Sequence, residues 1–286
     1  MNTPKVSIIC ISYNQANTIQ QTLLSVANQN FKKEEIELII VDDASRDKTS
    51  TILKQLQLTI PYQLVIHQEN KGYCKTFNEG LHLSHGRFIL DLAADDLLHP
   101  EFLQIAVNRL EESNDKVAAH YCDAFLLDTN VNKKILHSEQ TKYKKRPEGT
   151  IYKELIQHYF ICSPTVLFKR KHLIEVGGYD EKLMYEDFDI QIRLARKFDF
   201  LYTPKPLLTK QISKSNMSAR QVSWRSPYQY STYVVCKKIQ KMNLTKDEHK
   251  ALFWRCFYEI KKNIQLGNFK LTLQYTLLAF QSYLKS

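Results

Sequence analysis

The chain has 286 residues, with 40 Lys and Arg against 30 Asp and Glu for a net charge of +10, and 43% of it is hydrophobic. These proportions exclude a disordered, collagenous or low-complexity protein and leave room for one large domain or a domain with an appendage. No apolar run approaches the roughly 20 residues that cross a bilayer, and the six cysteines include no Cys-x-x-Cys pair, so free thiols in a reducing compartment are expected, not a disulfide framework or a zinc site.

Met1-Asn2-Thr3-Pro4-Lys5 runs straight into a strand with none of the features of a signal peptide, so a cytoplasmic protein is expected. Residues 5–11 are a β-branched apolar run, a buried strand that stops at Ser12-Tyr13-Asn14. Asn17 is the expected N-cap of a helix whose Ile19, Leu23 and Val26 share a face. A second strand, 36–41, stops at Asp42-Asp43, and Asp47 stands near the start of the helix that carries Ile52, Leu53 and Leu56. A third strand covers 62–66. After Asn70-Lys71-Gly72 comes a helix with Phe77 and Leu81 inward, then Gly86 and a strand from Phe88 that is expected to end at Asp95. Pro100 opens a helix with Phe102, Leu103, Ala106, Val107 and Leu110 on one face. Four rounds of strand, polar turn and helix define an α/β fold, a doubly wound and mostly parallel sheet with right-handed crossovers. Its strand ends carry Tyr13-Asn14, Asp42-Asp43 and Asp95-Asp96, so acids collect on the rim where such sheets bind ligands. Adjacent carboxylates repel, and a hard divalent ion carrying substrate phosphates is one way to hold them together.

No Gly-x-Gly-x-x-Gly follows the first strand and no Gly-Lys-Ser/Thr occurs, which argues against a dinucleotide dehydrogenase or a P-loop enzyme. Val6 to Asn14, Val41-Asp42-Asp43-Ala44-Ser45-Arg46-Asp47-Lys48-Thr49, Asn70-x-Gly72 with Asn78-x-Gly80, and Leu92-Ala93-Ala94-Asp95-Asp96 with Pro100 stand in a characteristic order and spacing. Together they resemble the family 2 glycosyltransferases of the GT-A (Rossmann-like) fold. The likeness continues through Val166-Leu167-Phe168-Lys169-Arg170, Gly177-Gly178-Tyr179-Asp180-Glu181 and Glu186-Asp187, covering roughly residues 4–218. The resemblance implies a nucleotide-sugar donor, expected to be UDP-linked, a divalent metal (Mn²⁺ or Mg²⁺), and transfer with inversion. It implies a donor nucleotide site at Ser12, Tyr13, Asn14, Asp42 and Asp43, with Asp43 as the base contact, and Lys75 in reach of base or phosphates. Asp95 matches the last acid of the family's Asp-x-Asp element and is implied as donor and metal contact, with Asp96 beside it; Ala93 stands where the first acid would be. Gly72 and Gly80 are expected to serve close backbone approach.

The resemblance also implies Asp187 as the catalytic base, with Glu186 as its positioning neighbour. The dipole of the helix carrying Phe188, Ile192, Ala195 and Phe198 favours a carboxylate at its start. Beyond Pro206 the family often shows Tyr-Arg-x-His, the His a further metal ligand, whereas Lys210-Gln211-Ile212-Ser213 occupies that place. Residues 117–127 read as a strand, followed by a polar hairpin or loop with Lys133, Lys134, Lys142, Lys144 and Lys145, a candidate surface for an anionic acceptor.

The expected division is a glycosyltransferase domain over 1–225, with a nucleotide-binding half (1–100) and an acceptor half (101–225), then a basic, aromatic-rich helical tail over 226–286. That tail holds ten Lys and Arg against three Asp and Glu, alternates aromatics with cations, and breaks at Gly267-Asn268. It is expected as a packed helical cap, as an attachment to the anionic inner face of a membrane, or as both. No nucleic-acid-reading module is present, so no nucleic-acid partner is expected. The expected activity is sugar transfer to a saccharide or lipid-linked acceptor in surface-polysaccharide or glycolipid assembly. The alternatives are a catalytically weak nucleotide-sugar-binding module, made plausible by Ala93 and Ser213, or a sugar nucleotidyltransferase.

Overall fold

The computed structural model describes residues 3–141, 143–184, 187–212 and 226–286. Strands β1 (Val6–Ser12), β2 (Ile36–Asp42), β3 (Tyr62–Ile66) and β4 (Phe88–Ala93) pair in parallel in the order β3-β2-β1-β4. Helices α1 (Ile19–Ala27), α2 (Thr49–Gln55) and α3 (Tyr73–Leu83) connect them. Val6, Ile8 and Cys10 of β1 join Ile19, Leu23 and Val26 of α1 in one core, while Ile9 and Ile11 join Phe77 and Leu81 of α3 in another. A strand covered on both faces has no solvent side, which is why residues 5–11 read as a continuous apolar run. Gly80 lets α3 lie directly on β1, since a Cβ there would stand 2.5 Å from Ile9 Cγ2. At Gly72 the expected close approach is absent, with nothing within 4 Å of a Cβ; its φ of +85° is the reason for glycine.

The other half of the sheet is mixed. After β5 (Asp96–Leu98) and α4 (Phe102–Glu111) come β6 (Val117–Asp128), β7 (Lys133–Leu136), β8 (Leu167–Lys169) and β9 (Asp199–Ile212). The order continues β4-β8-β6-β9-β5, with β8 antiparallel to both neighbours, β9 parallel to β6, and β5 antiparallel to β9. β7 folds back on β6 as the expected hairpin and carries Lys133 and Lys134; Lys142 lies outside the described residues. Helices α5 (His137–Gln140), α6 (Tyr152–His158), α7 (Arg170–Glu175) and α8 (Asp187–Ala195) fill the remainder of this half.

Two boundaries differ from expectation. The strand from Phe88 ends at Ala93, not Asp95: residues 94–95 turn the chain, and Asp96 opens β5 opposite Lys210 of β9. Helix α1 is not capped by Asn17; Thr18 holds the cap position without a side-chain bond, and the Ile19 amide donates to the Gln15 carbonyl at 3.0 Å. At α2 the cap position is Lys48, and Asp47 just before it accepts from the Thr49 amide at 2.9 Å.

The tail forms three helices, α9 (Pro227–Met242), α10 (Lys246–Gln265) and α11 (Phe269–Tyr283), with Gly267 at φ +66° in the break. Thr245 and Glu248 form a capping box at the start of α10. Val235, Ile239, Leu252, Tyr275 and Leu278 belong to the same apolar cluster as Phe188 and Tyr179, so the helices pack as a cap. Lys238 donates to Asp180 and Asp189, each at 2.6 Å, and the Arg255 guanidinium lies 4.7 Å from the Phe188 ring centroid. Among the described residues no helix is long and apolar enough to cross a membrane.

Candidate active site

A cleft of about 480 Å³ opens at the carboxyl ends of the parallel strands, where β1, β2 and β4 stop and α3 and α8 begin. The nucleotide-half wall is built by one carboxylate. Asp43, 2% exposed, accepts from the amides of Lys71 at 2.8 Å and Gly72 at 2.9 Å and bonds His67 Nδ1 at 2.8 Å. The left-handed turn at Gly72 presents its amide to Asp43 and opens α3 immediately after. Tyr13, 39% exposed, Lys71 and Lys75 border the cleft beside Asp43.

Asp42, Ser12 and Asn14 are not among the residues that line the cleft. The Asp42 carboxylate is fully buried and accepts from the hydroxyls of Ser12 at 3.0 Å and of Ser45 and Ser50 at 2.5 Å. Asn14, at φ 56°, accepts from the Arg46 amide at 2.7 Å and ties the β1 and β2 loops together. These residues shape the wall from behind.

On the floor stands Asp91, inside β4 and paired with Ile9 of β1. Its two oxygens accept from the hydroxyls of Tyr73 and Tyr179, each at 2.7 Å. Burial pushes its carboxyl up to about 6, against the two tyrosine hydrogen bonds and with a smaller push from Asp187. Asp95, in the turn after β4, and Asp96 reach the cleft next, and burial raises both carboxyls while the Lys210 ammonium opposes the rise. Asp96 is 1% exposed, and among the described residues its Oδ1 has no hydrogen-bond partner.

The opposite wall carries Asp187, the first residue of α8. One oxygen accepts from Ser163 Oγ at 2.8 Å, the other from the Phe188 amide at 2.8 Å. Ser163 is itself in contact with the Tyr159 hydroxyl at 2.9 Å and the Gln191 amide nitrogen at 3.3 Å, so the carboxylate direction is set by a short chain of polar contacts. Glu186 and Ser213 lie outside the described residues.

The cleft thus brings together Tyr13, Asp43, Lys75, Asp95, Asp96 and Asp187 of the expected set. Sequence reasoning gave no role to Tyr73, Tyr179, Ser163 or Lys210. The one signal for Asp91 was a carboxylate within an otherwise apolar strand, a costly placement unless hydrogen bonds or chemistry compensate.

The residues present fit a divalent ion. Asp95 faces the cleft at a turn, and the unpartnered Asp96 Oδ1 lies in the next residue, an arrangement suited to a hard cation that completes its shell with phosphate and water. Among the described residues no group of three or more His, Cys, Asp or Glu is placed to hold a metal by itself.

The model of the family described as Glycosyl transferase family 2 matches residues 7–177, and the chain belongs to that family. An uncharacterized glycosyltransferase of Rickettsia typhi is 26% identical over 281 residues, covering 96% of this chain and 85% of the relative. Among solved structures, TarS 1-349 of S. aureus in complex with UDP-GlcNAc superposes with a TM-score of 0.77 at 19% identity, over 98% of this chain and 81% of TarS 1-349. The mannosyltransferase PcManGT from Pyrobaculum calidifontis, in complex with GDP-Man and Mn²⁺, gives 0.63 at 16% identity, over 97% of this chain and 74% of its own. The fold is the GT-A fold that these structures share.

Proposed function

We propose that this glycosyltransferase inverts the anomeric centre of a UDP-linked sugar as it passes to a hydroxyl of a saccharide or lipid-linked acceptor in surface-polysaccharide or glycolipid assembly. The observation that carries this reading is Asp187, held by Ser163 across the cleft from the Asp95 turn. The acceptor oxygen attacks the anomeric carbon, its proton passes to the Asp187 carboxylate, and the bond from that carbon to the phosphate oxygen breaks to release UDP. Tyr13 covers the base. Asp43 has about one lone pair left after three contacts and accepts from the base N–H with it. A divalent ion held by Asp95 and Asp96 would neutralise charge on the diphosphate. The complex of TarS 1-349 with UDP-GlcNAc supports a UDP donor, and the Mn²⁺ of PcManGT supports the ion.

The test is a panel of UDP- and GDP-sugars with Mn²⁺ or Mg²⁺ and short saccharide acceptors, read by release of nucleoside diphosphate. Release of UDP from one donor, dependent on acceptor, is expected. Pyrophosphate formation from a sugar phosphate and UTP would point to a nucleotidyltransferase, and tight donor binding without release to a binding module.

The tail supplies the lipid side of this reading. Phe269, Leu273, Leu277, Phe280 and Leu284 are 75, 62, 56, 60 and 68% exposed and, at helical spacing, form one outward stripe along α11. Lys270 and Lys285 flank it and Lys261 and Lys262 stand on α10, a combination suited to an anionic lipid surface. Lys238 does not share in this, being bound to Asp180 and Asp189. Full-length protein should float with phosphatidylglycerol vesicles at low salt and be released as salt rises, because screening shortens the reach of the lysines. Leu273→Asp with Leu277→Asp should stay unbound. Equal flotation of that variant and wild type removes the membrane partner.

A further inference from the structure

Lys210 is a cation that lines the cleft. It stands on β9 opposite Asp96 and lines the cleft with Asp95, Asp96 and Asp187. Among the described residues its ammonium makes no hydrogen bond and no ion pair, although four other lysines of this half, Lys169, Lys171, Lys197 and Lys205, are each bonded. An ammonium among carboxylates that keep their distance is arranged for an anion that enters the cleft. Ala93 and Ser213 stand where the family resemblance implies an acid and a His as metal ligands, and Lys210 stands three residues before Ser213.

We propose that Lys210 binds the β-phosphate of the nucleoside diphosphate and carries part of the charge otherwise left to a divalent ion. This rests on the donor assignment above. As the anomeric carbon–oxygen bond breaks, the electron pair goes to the phosphate oxygen, and an ammonium fixed beside it stabilises the leaving diphosphate more than the bound donor. No proton leaves Lys210 and no other group is consumed.

Calorimetry in EDTA isolates this contact, because the divalent ion is removed while Lys210 remains. Wild type is expected to bind UDP about tenfold more tightly than UMP, the order of one charge-assisted contact. Lys210→Met should bring UDP down to UMP and leave UMP unchanged, while Lys210→Arg should keep most of the preference. Removing one cation beside two buried acids strains the fold, so Asp96→Asn with Lys210→Met is measured in parallel and should show the same loss. With Mn²⁺ restored, the Lys210→Met protein should need more of the ion for half-maximal UDP binding. An unchanged UDP preference in both variants overturns the role of Lys210. Wild type that binds neither UDP nor UMP overturns the donor assignment, and this proposal with it.

Discussion

Asp187→Asn is expected to lower sugar transfer by about 10²- to 10⁴-fold, the range of a positioned general base. Donor affinity should stay within about a factor of two, because the base acts on the acceptor hydroxyl and not on the diphosphate. The amide oxygen can still accept from the Phe188 amide while its NH2 donates to Ser163 Oγ, so the start of α8 keeps its geometry and the loss is chemical. Turnover under saturating donor and acceptor, beside calorimetry of the donor, separates the two quantities. Turnover near that of wild type would remove Asp187 from the mechanism. A parallel loss of donor affinity would show instead that the carboxylate shapes the donor pocket.

Asp95→Ala should weaken UDP binding in the presence of Mn²⁺ by roughly 10- to 100-fold, and weaken it little in EDTA, since the lost oxygen is a ligand and not a base contact. Asp91→Asn provides the contrast. Asp91 lies in the same cleft but gives both its oxygens to Tyr73 and Tyr179, so its removal should leave the Mn²⁺-dependent part of UDP affinity intact. Its consequence belongs to the floor: burial lifts the Asp91 carboxyl to about 6, so the folded protein keeps that proton after the unfolded chain has released it. Between its usual value and about 6 this makes folding less favourable as pH rises, a contribution that Asp91→Asn abolishes. Equal losses of Mn²⁺-dependent UDP affinity at Asp91 and Asp95 would show that the ion sits deeper than the turn.

The nucleotide half was legible because its physics is local. Strands β1, β2 and β4 are buried on both faces, and burial on both faces writes itself as an apolar run ending at polar residues. The second half was not, because its strands are defined by distant partners. β5 is only Asp96–Leu98, a strand because β9, more than a hundred residues onward, bonds to it. β9 contains Pro204 and Pro206 and is bent by register shifts against β6, which hides any alternation. The same distinction divides the site. Acids at strand ends could be found from sequence, but which of two neighbours faces the ligand depends on the direction of a side chain. Asp42 turned to three hydroxyls behind the wall and Asp43 to the loop at 71–72. Ser163 and Lys210 come from segments with no motif of their own, and their meaning arises only when β8, β9 and α8 meet.

Lys238 joins Asp180 of the loop before α8 to Asp189 within it, while Arg255 covers the ring of Phe188, the residue after the proposed base. The three tail helices are therefore no interchangeable cassette. A chimera that took this tail from a relative would have to import matching residues at 180, 188 and 189, or leave Asp189 with Arg193 alone and the Phe188 ring without its guanidinium beside Asp187. Change in the tail is thereby tied to the helix that carries Asp187.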